Sequence, residues 1–142
     1  MKILCTTCSA AKRDDPEPLP AVGRYLSLRV ARVEQLSRRL GVPMRILSGK
    51  YGLLEPSQPI PWYDHALTPD EVEALLPHLV GQLLELEATE LAFFARPRST
   101  PGWEPYHLAI ERACAAAGVE LEVLDAETEL VTPAGSGGLD EA

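Results

Sequence analysis

Leu91-Ala92-Phe93-Phe94-Ala95 is the stretch whose reading decides the fold. Five apolar residues in a row show no alternation, so a strand made from them must be covered on both faces. That is the mark of a parallel sheet with helices packed above and below it. Upstream, Thr68-Pro69-Asp70-Glu71 is a capping box with Pro at the first helical position,. It opens a helix bearing Val72, Leu75, Leu76, Leu79, Leu83 and Leu86, which Pro77 should kink or divide,. Downstream, residues 105–117 read as a helix closed by Gly118. Residues 119–124 then alternate Val, Leu and Val with Glu120 and Glu122, as an edge strand does,.

The first half repeats the rhythm. Residues 2–7 read as a strand, residues 21–40 as one helix with Val22, Leu26, Val30, Val33, Leu36 and Leu40 on its apolar face, and residues 44–47 as a short second strand. Gly41 and Pro43 stop the helix. Two stretches are too long or too proline-rich for simple connections: the polar loop 9–20 and the segment 55–67,. The order β-α-β-α-β-α-β predicts an α/β domain, a three-layer Rossmann-like fold with a parallel sheet of about four strands and right-handed crossovers. Residues 1–131 form this one domain, and residues 132–142 are expected to be a mobile, acidic, Gly-rich tail.

Composition bounds the function classes. The chain has 142 residues with 46% hydrophobic and 24% charged, ordinary globular usage that excludes disordered, collagen-like and disulfide-scaffold classes,. No apolar run approaches the roughly 18 to 20 residues of a membrane span, and the start is too short in apolar residues for a signal peptide. A cytoplasmic location is expected, in agreement with three cysteines, an odd number suited to a reducing compartment,. There is no Asn, Arg outnumbers Lys by 10 to 3, and 13 prolines crowd the loops, one profile of a protein from a hot or GC-rich source,. The net charge of -8 hides an asymmetry: residues 1–50 carry +6 and residues 51–142 carry -14. A locally basic first third can attract anions even in an acidic chain.

Open parallel sheets bind ligands beyond the carboxyl ends of their strands, where strand order reverses. Three loops then converge: residues 6–13, 48–54 and 96–103. They offer Thr6, Thr7, Ser9, Lys12, Ser48, Lys50, Tyr51, Arg96, Arg98 and Ser99, hydroxyls and cations suited to a phosphate, carboxylate or polyhydroxyl ligand,. In Ser48-Gly49-Lys50-Tyr51-Gly52 two glycines bracket the pair of side chains presented,. Trp62, Tyr63, Asp64 and His65 add aromatic faces, a carboxylate and an imidazole. Cys5 and Cys8 make a Cys-x-x-Cys, but Cys5 falls within the strand, facing the core, which speaks against redox exchange. Cys114, His65, His78 and His107 lack zinc-ligand spacing, so neither metal nor cofactor is expected.

The segments Cys8, Ser9 and Lys12; Pro20, Ala21 and Tyr25; residues 46–54, Ile-Leu-Ser-Gly-Lys-Tyr-Gly-Leu-Leu; and Pro56, Ile60, Tyr63 and Asp64 resemble an uncharacterised family of bacterial and phage proteins marked by Ser-x-Lys-Tyr-Gly-Leu-Leu. The Tyr-Gly-Leu-Leu-x-Pro block is also similar, more distantly, to the YaaA family of peroxide-stress proteins, which are associated with DNA binding. This chain lacks the extra length and the helix-hairpin-helix-like element of that family. These resemblances imply nucleotide or nucleic-acid metabolism.

Residues and resemblance together lead to a nucleotide- or nucleobase-like ligand at the strand ends, with an enzymatic role left open. Asp64, Lys50 and Tyr51 are the catalytic candidates, Asp64 as acid or base. Thr7, Ser9, Lys12, Ser48, Gly49, Tyr63 and Arg96 are the ligand-binding candidates. The rival readings are a nucleic-acid binder using Arg24, Arg32 and Arg38 on a basic first helix, and an interaction module, such as a homodimer, with no small-molecule site. Neither involves a membrane.

Overall fold

The computed structural model describes residues 1–130. In chain order the elements are β1 (Lys2–Thr7), β2 (Leu19–Pro20), α1 (Ala21–Arg24), α2 (Leu28–Leu40), β3 (Met44–Ser48), β4 (Gly52–Leu54), β5 (Pro59–Ile60), a 3-10 turn (Pro69–Glu71), α3 (Val72–Glu85), β6 (Glu90–Ala95), α4 (Glu104–Ala117), β7 (Glu120–Asp125) and α5 (Ala126–Glu129). Five strands form one sheet in the order β4-β3-β1-β6-β7. β1 pairs in parallel with both β3 and β6, and β6 pairs in parallel with β7, whereas β4 folds back antiparallel on β3. The chain is thus a three-layer, Rossmann-like α/β domain.

Strand periodicity divides the core. Leu4, Ile46 and Phe94 face one side, with Val30 and Val33 of α2; Cys5, Leu47 and Phe93 face the other, with Leu79 and Leu83 of α3 and Ile110 of α4. Successive strand residues point to opposite faces, and both faces are buried, which is why Phe93 and Phe94 can be adjacent and both lie inside,. β7 is an edge strand, and Val123 on it is exposed. Among the described residues no helix is long and apolar enough to cross a membrane.

Three expectations need correction. The helix over residues 21–40 is two helices. The chain leaves helical geometry at Tyr25, whose ψ is 126°, and restarts where the Ser27 side chain accepts from the Val30 N–H at 3.2 Å. A side-chain cap satisfies one of the donors that a helix start leaves open, which fixes the restart. The loop expected after residue 47 contains a fifth strand, β4. Its backbone is clasped by Gln82 of α3, which accepts from Leu53 N–H at 2.8 Å and donates to Leu53 C=O at 2.9 Å. That amide closes the sheet edge as a further strand would. Pro77 does not divide its helix, since Val72–Glu85 is continuous across it. The expected tail, residues 132–142, lies outside the described residues.

Candidate functional site

The strand order reverses between β1 and β6: after β1 the chain crosses to β3 on one side, and it returns on the other side through β6. At the carboxyl ends of that adjacent pair lies a cleft of about 270 Å³. One wall is the loop after β1, with Thr7, Cys8, Ser9, Ala10 and Lys12. The other wall is the start of α4 with the turn before it, contributing Pro101, Gly102, Trp103 and Tyr106. Arg29, Asp64, His65 and Ala66 close it. A second, wider cleft of about 500 Å³ adjoins it, bounded by Gly49, Lys50, Glu71, Ala74 and Leu75; Asp64 and His65 line both.

Arg29 is held from below. Its guanidinium donates to Thr6 Oγ1 at 2.6 Å and to the Thr7 carbonyl at 2.8 Å, and it stacks on the Trp103 ring with 4.8 Å to the centroid. Burial pulls its pKa down to about 10, and Arg96 adds like-charge repulsion while Cys8 acts the other way; at neutral pH it remains a cation. Among the described residues it makes no ion pair with a carboxylate. Lys12 is likewise without one: its ammonium donates to the Ala10 carbonyl at 3.5 Å and sits 4.7 Å from the Tyr63 ring centroid. Lys50, exposed, lies 5.8 Å from the same centroid. The backbone N–H groups of Ser9, Ala10 and Gly102 donate to no protein acceptor among the described residues. Lys12 of the β1 loop and Arg29 of α2 therefore bring two cations to one cleft bordered by backbone donors of two loops, an anion-attracting arrangement,.

Beneath the lysines lies a chain of buried hydroxyls. Ser48 Oγ accepts from the backbone N–H groups of Lys50 and Tyr51, each at 3.1 Å, so its own proton goes to Tyr63 Oη at 2.8 Å,. Tyr63 and Tyr25 hydroxyls meet at 2.5 Å. Burial pushes the phenols of Tyr25, Tyr63 and Tyr106 well above their ordinary range, so all three stay protonated. Tyr106 Oη accepts from Leu67 N–H at 3.1 Å and lies 3.7 Å from Cys8 Sγ. The close turn at Gly49 has its own cause: a Cβ there would stand 2.8 Å from Leu67 N.

The structure gathers Thr7, Ser9, Lys12 and Asp64 in the first cleft, and Gly49, Lys50 and Asp64 in the second. Asp64 is exposed and, among the described residues, makes no hydrogen bond or ion pair. His65 Nε2 lies 2.9 Å from Glu71 Oε1. Several expected ligand residues have other roles. Ser48 is wholly buried and ties the Lys50-Tyr51 turn to Tyr63. Tyr63 is itself only 4% exposed, with its ring edge-on to Tyr25 and Tyr51, so it supports the site from beneath and is not a stacking surface for a ligand. Tyr51 is half-buried and lines neither cleft. Arg96 pairs with Glu127 at 3.3 Å in a separate groove near β7, and Arg98 is bonded to Glu104 and Glu111, so neither points into the cleft. Arg29, Trp103 and Tyr106 are the side chains that sequence reasoning missed. The loop after β6 borders the cleft through Pro101, Gly102 and Trp103, while its arginines line another groove. In the sequence Arg29 carries no signal beyond its place in the basic first third.

Cys5 is wholly buried, and burial pushes its thiol far up, as its strand position implies. Among the described residues no three His, Cys, Asp or Glu side chains gather as a metal site. Fold and site together define a Rossmann-like α/β protein with a cationic cleft at its switch point. Comparison with protein-family models, with curated proteins and with solved structures finds no match to this chain.

Proposed function

We infer that this chain binds a nucleotide- or nucleobase-like ligand in the cleft between the β1 loop and the start of α4, as an enzyme of nucleotide or nucleic-acid metabolism. The observation that carries the reading is the pair Lys12 and Arg29 in one cleft, cations with no carboxylate partner among the described residues, with Arg29 stacked on Trp103 and Tyr106 beside it. An anion completes such a site, and ring systems pack against its aromatic side. Asp64 is the acid/base group. Its unpaired carboxylate at the mouth of the cleft can take a proton from water or from a substrate hydroxyl in a glycosidic or phosphate-bearing substrate. The motif of residues 46–54 fits this reading, because it builds the turn that carries Lys50 and the seat of Tyr63.

The reading through a basic first helix loses part of its footing. Arg24 is wholly buried, and its guanidinium donates to the carbonyls of Arg13, Asp15, Glu17 and Ile60. Arg38 is engaged by Glu34 at 2.7 Å.

A thermal-shift screen of nucleotides, nucleosides, free bases, sugar phosphates and short DNA and RNA at two salt concentrations tests the proposal. A ligand at 100 times its dissociation constant adds about 2.7 kcal/mol of stability. A shift with a small-molecule class that weakens in Lys12→Ala is the expected result. Shifts with polynucleotides alone, vanishing as salt rises, would overturn it in favour of a nucleic-acid binder.

A further inference from the structure

Two clefts meet at Asp64 and His65, and their walls differ in chemistry. The smaller, about 270 Å³, has Lys12, Arg29 and the open N–H groups of Ser9 and Ala10 directly after the central strand. The wider, about 500 Å³, has apolar walls at Gly49, Ala74 and Leu75 and one cation, Lys50, facing two carboxylates, Glu71 and the shared Asp64. Glu71 Oε1 is occupied by Thr68 N–H at 3.0 Å and by His65 at 2.9 Å. Pockets for whole drug-sized ligands run from roughly 300 to 1,000 Å³, so the smaller cleft suits a compact anionic group better than a complete nucleotide.

We propose that the ligand is a nucleoside 5′-monophosphate laid across both clefts, with its phosphate at Lys12, Arg29 and the Ser9-Ala10 backbone, its sugar over Asp64 and His65, and its base in the wider cleft. This assignment rests on the nucleotide-binding reading above and adds the orientation and the class of ligand. Charge sets the orientation. The phosphate goes where cations and backbone donors converge without paired carboxylates, at the end of the first parallel strand. In the wider cleft Glu71 and Asp64 outnumber Lys50 and disfavour a phosphate, and the Glu71 carboxylate can accept from a base amino or ring N–H. Ala74, with its single methyl group, leaves the helix side of the wider cleft low enough for a flat ring.

Isothermal titration with the four nucleoside 5′-monophosphates, their nucleosides and inorganic phosphate tests the assignment on the full chain and two variants. Lys12 is half-buried at the surface and Ala74 exposed on α3, so Lys12→Ala and Ala74→Met should fold as wild type does, which circular dichroism checks. Inorganic phosphate should compete with the nucleotide. Lys12→Ala should weaken nucleotide and phosphate binding by roughly ten- to a hundredfold and leave nucleoside binding unchanged. Ala74→Met should weaken nucleotide and nucleoside binding and leave phosphate unchanged. Nucleotide affinity indifferent to Ala74→Met, or phosphate affinity sensitive to it, would overturn the two-cleft placement while the nucleotide-binding reading survives. No binding of any nucleotide would overturn both.

Discussion

Ser48 shows how one hydroxyl can organise a site without touching a ligand. It accepts two backbone N–H groups of the turn and donates to Tyr63, so Ser48→Ala leaves a buried phenol and two donors short of a partner. Chemical denaturation should show a loss of about 1–3 kcal/mol. Asp64 should behave in the opposite way. It is exposed and unpaired among the described residues, so Asp64→Asn should keep the unfolding midpoint within the usual spread for surface changes, about 0.5 kcal/mol, while turnover of a processed ligand is abolished. An unfolded variant, or one with full activity, would contradict its role. The residue scale is also where sequence reasoning reached least far. Asp64, Lys12 and Ser9 were legible because a carboxylate, a scarce lysine and a short hydroxyl in long loops advertise themselves. Arg24 was not: a basic residue in an apparent helix reads as solvated, and only the fold shows four carbonyls gathered around its guanidinium.

At the scale of elements, segments bounded by a punctuating residue are legible, whereas the break at Tyr25 within residues 21–40 and the shortest strands are not. The run 91–95, the capping box before α3 and the Gly118 stop after α4 each combine a pattern with a punctuating residue, and all appear in the fold. β4 has three residues, too few for a period to show, and its edge is closed by an amide from a helix about thirty residues later in the sequence,. Gln82→Ala should therefore cost more than an ordinary surface change, about 1–3 kcal/mol, because it strips both partners from Leu53. Ser27 has the same local character. Its side chain restarts the helix that brings Arg29 to the cleft, and Ser27→Ala should lower stability by about 1 kcal/mol,. Equilibrium urea unfolding of the two variants measures both effects.

For the whole molecule, the order of strands matters more than their number. Placing β1 between β3 and β6 opens the crevice at the ends of β1 and β6, and the loops that flank it come from opposite layers of helices. The buried acids of this interior also set a limit at high pH. Cys5 and the phenols of Tyr25, Tyr63 and Tyr106 are raised above their ordinary values by burial, and Cys114 is raised to about 11 for the same reason. Raised values mean that the folded state holds these protons longer than the unfolded chain does. The contribution is complete below the unfolded values, about 8.5 for thiols and 10 for phenols, and is lost as pH rises above them. The thermal midpoint measured from pH 7 to 11 should fall steadily above about pH 8.5, and a flat profile would contradict the buried placement of these groups.

The most direct measurement of the central claim is an amide chemical-shift titration of the isotope-labelled chain with a nucleoside 5′-monophosphate. The account predicts the largest changes at the backbone N–H groups of Ser9, Ala10 and Gly102 and at the Trp103 indole, all bordering the cleft at the ends of β1 and β6. Changes confined to the groove of Arg96 and Arg98, or to the outer face of α2, would contradict it, as would a spectrum that does not change at all.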